Sequence, residues 1–347
     1  MKKLFLLAMI LGVLTTGRAA LAYQWQPLPD KAPEPADNPT TPEKVELGRM
    51  LYFDPRFSST GTVSCNTCHN LMLGGEDNRN FSMGVHGQMG GRSSPTVWNA
   101  AFASSQFWDG RAPSLEEQAK GPVVNPVEMG MSEVETAMDR VRAIPAYKPY
   151  FERAFGKDDP LTVDNAAKAV AAFERTMITP NSPYDRFVKG DKSALDASQQ
   201  RGMESFASLG CTACHSGPAF SGPVGEAGKG FFMRFPTFQD NAYVSEYHLL
   251  EDNGRFDATG KEGDKHLFKV PTLRNVALTA PYFHNGSVAT LEEAVRVMAK
   301  TQLNQSLSDE QVTDIVAFLQ GLTGEFPQLE LPRLPATPGW AFEYSEK

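Results

Sequence analysis

Residues 65–69 read CNTCH and residues 211–215 read CTACH. Together the two pentapeptides hold all four cysteines of the 347-residue chain and two of its six histidines. A CxxC pair alone fits a thioredoxin-type redox centre, half of a zinc site or a disulfide. A redox pair belongs after a strand in a βαβ unit, and neither pair has that context. Zinc would require the two pairs to converge and would leave His69 and His215 without a role. Covalent haem c accounts for the whole pattern. Two thiols add to the porphyrin vinyl groups, and the adjacent histidine becomes the proximal iron ligand. The expectation is two covalent haems c, anchored by Cys65, Cys68, Cys211 and Cys214, with His69 and His215 as axial ligands.

The segments before the two motifs are alike. Thr41 can cap a helix with Pro42 at its first position, followed by Val45, Leu47, Gly48 and Leu51. Ser198 can cap a second helix carrying Gly202, Met203, Phe206 and Leu209, which Gly210 ends just before Cys211. Each half thus reads as a helix with a small residue on one face, followed by CxxCH. Residues 163–177 have helical composition. Ser308 and Gln311 form a capping box ahead of an apolar face of helical period. No run of alternating strands is present. The predicted fold is mainly α, two cytochrome c-like haem domains with long Gly/Pro-rich loops. The predicted division is 23–180 and 181–347, with the Pro-rich tail 327–340 lying over a surface and free to pack back on the first domain.

The first 22 residues have a basic start at Lys2 and Lys3, an apolar run from Leu4 to Leu14, and Ala20-Leu21-Ala22 as a cleavage site. This is the plan of a secretory signal peptide, too short in its apolar part to span a bilayer. Its removal takes Lys2, Lys3 and Arg18 away and moves the formal net charge from −8 to −11. An acidic, exported chain without basic tracts is a poor nucleic-acid binder. Later segments offer no membrane span, and export matches the compartment where haem c is attached.

The sixth ligand of each iron decides between a carrier and an enzyme, because only a position that can be vacated permits chemistry at iron. His86 lies in SMGVHGQMGG, a glycine-rich loop after the first motif that could swing a side chain on and off iron. In the second half Met203, Met233 and Met298 are the candidates. Met203 sits on the helix leading into the motif, Met233 in GFFMRF, and Met298 in AVRVMAK just before the final helix.

Several longer stretches carry a resemblance. FWDGRAPSLEEQAKGPVVNPVEMG (107–130), SPTVWNAAF (94–102), FERTMITPNSPYDRF (173–187) and LRNVALTAPYFHNGS (273–287) resemble the bacterial dihaem cytochrome c peroxidases. The likeness runs in family order from about residue 40 to about 335. It implies a low-potential, peroxidatic haem on Cys65, Cys68 and His69, with His86 as its removable distal ligand. It implies a high-potential, electron-accepting haem on Cys211, Cys214 and His215, with Met298 as sixth ligand. Glu128 matches the acid–base carboxylate, Gln118 a polar neighbour that orients peroxide, and Trp108 the aromatic between the haems. A calcium ion between the domains is implied through the carbonyls of Thr279 and Pro281. Ser93 stands where the family has an asparagine ligand.

The function so implied is reduction of hydrogen peroxide to water in the periplasm. Electrons would come from a small cytochrome c or cupredoxin, and the enzyme would be a homodimer. Two rivals stand beside it. One is a maturation-type dihaem enzyme that oxidises a protein substrate and uses tyrosine where this chain has Met298. The other is an electron carrier whose haems never open, for which the Glu128–Gln118 pair would have no use.

Overall fold

The computed structural model describes residues 23–226 and 228–337. The expected signal peptide therefore lies outside the described residues, as does the end of the tail. Among the described residues no helix is long and apolar enough to cross a membrane.

The fold is mainly helical, and its two largest cores repeat one packing device. In the first, the Pro42–Phe53 helix crosses the Val163–Glu174 helix. A Cβ at Gly48 would lie 1.9 Å from the Ala169 carbonyl oxygen, so only glycine permits this approach. In the second, the Ala197–Ser208 helix crosses the Asp309–Gln320 helix, and a Cβ at Gly202 would lie 1.9 Å from the Asp314 oxygen. One turn on, an aromatic pair closes each crossing: Tyr52 with Phe173 at 5.4 Å and Phe206 with Phe318 at 5.4 Å. The small residue read from each sequence is thus the point where two helix backbones touch.

Local details differ from expectation in three places. The second helix is capped by Asp196, whose side chain accepts from the Gln199 amide while Gln199 returns a bond to the Asp196 amide. A carboxylate two residues upstream completes this reciprocal box. Ser198 is left to donate to Asp314 Oδ1. AVRVMAK, read only as lying just before the last helix, does so as part of a helix of its own, Leu291–Leu303, stopped by Asn304 in the left-handed region. A two-stranded antiparallel ribbon also occurs, Phe232–Arg234 with Leu267–Lys269. Its strands are too short for an alternation to register.

The duplication extends further than the helices. Thr96 Oγ1 donates to the Gly74 carbonyl and Thr272 Oγ1 to the Ala219 carbonyl, each at 2.7 Å. Asn99 and Asn275 follow in the left-handed region, then Phe107 and Phe283 at φ 69° and 72°. Isolated bridges Gln106–Ala112 and Tyr282–Val288 close equivalent turns. Helices capped by Ser114 and Thr290 come next. The halves meet reciprocally across this repeat. The Ser93 amide donates to the His284 carbonyl, and the Lys269 amide donates to the Trp108 carbonyl, both at 2.7 Å. Ser93 and Lys269 are equivalent positions, as are Trp108 and His284, so the contact is isologous in the manner of a two-fold dimer.

The chain ends cross over. Trp25 packs on Tyr184, Phe220 and Phe318 of the second core, and the Leu28 amide donates to Asp185. At the other end Phe326 packs edge-on against Trp98, and Leu329 and Leu334 lie on the first core. Arg56 donates to the Pro335 carbonyl and the Thr337 hydroxyl.

Candidate active site

Each CxxCH motif winds into one helical turn, with the histidine amide bonded to the carbonyl of the first cysteine at 2.9 Å in both. That winding places two thiols and one imidazole on a common side. None of the four cysteines is joined in a disulfide. His69 donates from Nδ1 to the Pro95 carbonyl at 3.0 Å, and His215 from Nδ1 to the Phe220 carbonyl at 3.1 Å. Burial lowers the pKa of both imidazoles, so each is neutral. With Nδ1 committed, Nε2 is the atom left free on each ring, the arrangement that orients a histidine able to bind a metal. The residues fit a covalent haem at both motifs.

Beside the first motif lies a cavity of about 780 Å³. Cys65, Cys68 and His69 line it, together with Trp108, Gln118, Pro122 and Glu128. Gln118 is presented by the Leu115–Val124 helix. Pro122 near its end leaves the chain to turn through Asn125, whose side chain donates to Glu128 Oε1 at 2.7 Å. Burial raises the Glu128 pKa, while the Arg111 guanidinium and the Asn125 bond pull it back. The result is a carboxyl poised to hold or release a proton.

Counted from the equivalent caps Ser114 and Thr290, Pro122 and Met298 stand at the same helical step. The second half offers a thioether there, part-buried against its core. The first half offers a ring with no donor atom. Met203 packs in the second core, and Met233 sits in the ribbon opposite Phe268. Neither occupies an equivalent position.

His86 is exposed, at φ 56°, and does not line the cavity. Its loop is closed by a Met83–Met89 bridge and rests on the Glu128 turn through the Val85 amide, which donates to the Glu128 carbonyl at 2.9 Å. A Cβ at Gly84 would meet the Val127 oxygen at 2.2 Å. The loop that carries His86 and the turn that carries Glu128 are therefore in backbone contact.

Trp108 lines the cavity, packs on the second core, and donates from Nε1 to the Ser93 carbonyl at 2.8 Å. Sequence reasoning did not single out Glu174, Arg92, Asp252 or His284, which also line the cavity. Glu174 is 5% exposed, and burial lifts its pKa to about 8. Arg92 spans Asp109 and Asp252, each at 2.6 Å. The signal for His284 was present: QFWDGRAPSLEE and YFHNGSVATLEE align without a gap and pair it with Trp108. At the expected calcium position, Asn78 donates to the Ala280 carbonyl at 2.9 Å, and the buried Ser93 hydroxyl donates to the Arg79 carbonyl. Among the described residues no group of three or more His, Cys, Asp or Glu is arranged to hold a metal ion.

Residues 42–193 match the model of the family described as di-haem cytochrome c peroxidase. The chain is 43% identical to cytochrome c551 peroxidase of Nitrosomonas europaea, over 95% of this chain and 93% of that one. It is 44% identical to cytochrome c551 peroxidase of Pseudomonas aeruginosa, over 90% and 88%.

The chain belongs to the di-haem cytochrome c peroxidase family.

It is thus an oxidoreductase of peroxidase type, and membership of this family implies two haems c. The family is broad. Methylamine utilization protein MauG of Methylorubrum extorquens is 36% identical over 88% of this chain and 86% of that one. A crystal structure of a MauG-like protein associated with microbial copper homeostasis superposes with TM-score 0.74 at 29% identity, covering 88% of this chain and 96% of that one. The fold expected from the sequence is the fold observed.

Proposed function

We propose that this dihaem peroxidase reduces hydrogen peroxide to water at the His69 site, in the periplasm, with electrons from a small cytochrome c or cupredoxin. The observation that carries this reading is the pair Pro122 and Met298: one helical step, with a thioether in the second half and no donor atom in the first. Haem iron, when bound, supplies the electrons and the site of O–O cleavage. The protein supplies proton handling and access. Glu128 takes the proton from the oxygen of peroxide that approaches the site and returns it to the departing oxygen. Gln118 orients peroxide by hydrogen bonding. His86, on a loop that touches the Glu128 turn, acts as the removable distal ligand, and the exposed position described above corresponds to the open site. Trp108 fills the space between the two halves and shortens the path for electrons supplied through the second.

In this reading residues 23–180 form the peroxidatic domain and 181–347 the electron-transfer domain. Residues 1–22 direct export. A homodimer and a calcium ion held by Thr279, Pro281 and Ser93 belong to the same proposal. A calcium titration of chelated protein, followed by calorimetry, tests the latter.

Steady-state peroxide consumption with a reduced small cytochrome c, run beside spectra at each stage of reduction, tests the whole. Turnover accompanied by loss of the sixth ligand at the His69 haem is expected. Absence of turnover in oxidised, half-reduced and fully reduced protein alike would leave the carrier reading in its place. The protein-oxidising reading is disfavoured by Met298 standing where that class uses tyrosine.

A further inference from the structure

His284 is 2% exposed and lines the first cavity, yet its Nε2 is buried without a hydrogen-bond partner. An orphaned buried polar atom is costly to a fold unless something bound supplies its partner. The ring is held by packing. It stacks on Phe268 at 4.3 Å and 22°, with Phe235 at 6.0 Å and Trp108 at 6.4 Å presented edge to face. Its backbone is fixed as well, since the His284 carbonyl accepts from the Ser93 amide. So rigid a ring cannot turn away to find another partner.

The carboxylates on this side of the cavity are already committed. Asp109 and Asp252 are both held by Arg92, and Asp109 also accepts from Arg111. An acceptor for His284 must therefore come from what the cavity holds. Haem c brings two propionate carboxylates, acceptors of the right kind for an imidazole N–H. We propose that His284 is a positioning residue for the haem of the first half, its Nε2–H donating to one of those carboxylates.

The repeat gives this contact a direction. His284 belongs to the second half and is the counterpart of Trp108, which the first half places against the second core. The second half thus reaches into the first cavity with the equivalent residue and bears on the electron affinity of a haem it does not anchor. Burial pushes the imidazole down to about 4, so at neutral pH it is uncharged and keeps one N–H to give. Loss of that donor leaves more negative charge on the carboxylate and favours the oxidised iron.

The proposal rests on the reading of the first motif as a haem site but not on peroxide chemistry. Its test is a spectroelectrochemical titration of the holoprotein with both haems resolved, for His284→Phe and His284→Gln. In His284→Phe the reduction equilibrium of the first haem is expected to move roughly tenfold toward the oxidised form, about 59 mV for one electron, while the second haem stays put. His284→Gln, which can still donate, is expected to restore most of the shift. An unchanged first-haem potential in His284→Phe overturns the proposal, as does an equal shift of both haems. If His284→Phe fails to load haem, a Gln variant whose first haem has shifted by the full tenfold overturns it too. Wild-type protein that titrates normally but does not consume peroxide would sink the peroxidase reading and leave this one standing.

Discussion

Asn99 and Asn275 donate their side-chain amides to one oxygen, the hydroxyl of Thr179, at 2.8 and 2.9 Å. They are equivalent residues of the two halves, and Thr179 lies in the segment that joins them. Asn99 Oδ1 accepts from the Thr179 amide and Asn275 Oδ1 from the Gly324 amide, so both side chains are fixed at each end. All three residues are buried. Thr179→Val keeps the shape and removes the shared acceptor. It should cost about 2–6 kcal/mol, from two stranded donors at about 1–3 kcal/mol each. Denaturant unfolding of the holoprotein measures it.

Glu128→Gln keeps the Asn125 contact available but removes the proton carrier. The expected outcome is a fall in kcat of about 10²–10⁴, with both haems still attached and their oxidised spectra unchanged. Turnover within a few-fold of wild type would show that the proton moves by another route.

Pro122→Met places a thioether at the step occupied by Met298 in the other half. The expected result is a first haem with a permanent sixth ligand and peroxide consumption reduced at least tenfold. Near-infrared and Raman spectra of the reduced protein report the new sulfur ligand, and the two readouts should move together.

Glu174 links stability to pH. Its folded pKa of about 8 lies above the ordinary 4.5, so the folded state binds a proton more tightly than the unfolded chain. The resulting stability is complete below about pH 4.5 and is lost as pH rises toward 8. The slope from this one group reaches at most about 1.4 kcal/mol per pH unit. Glu174→Gln should be neutral near pH 4.5 and stabilising at pH 8, which thermal melts at the two pH values compare.

Gly48→Ala and Gly202→Ala test the two helix crossings. Each new methyl would have to displace a neighbouring helix backbone, with an expected loss of about 1–3 kcal/mol apiece. If the halves are as alike as the geometry indicates, the two losses should be similar.

The expected haem anchors were legible because covalent attachment demands a fixed spelling. Glu128, Gln118 and Met298 carry no such spelling. Glu128 becomes distinctive only when Pro122 and Asn125 turn it into the cavity, and family resemblance named it first. Helix positions were readable where caps and apolar period agreed, as at Thr41 and Ser308. They slipped at Asp196, where two polar residues separated only by Ala197 compete for one capping role. His284 was missed for another reason. Its equivalence to Trp108 lies in register and not in spelling, since residues 282–293 match residues 106–117 without a gap but pair a histidine with a tryptophan.

The crossed ends impose an order on assembly. Trp25 emerges early in synthesis, but its aromatic seat around Tyr184 and Phe318 comes much later, and Phe326 reaches Trp98 only near the end. Contacts of such long sequence separation slow folding. Neither half can therefore be finished while the other is missing, and a chain severed between residues 180 and 181 would strip each piece of its fastening. A molecule that looks like two carriers joined in tandem is, by its wiring, a single indivisible unit.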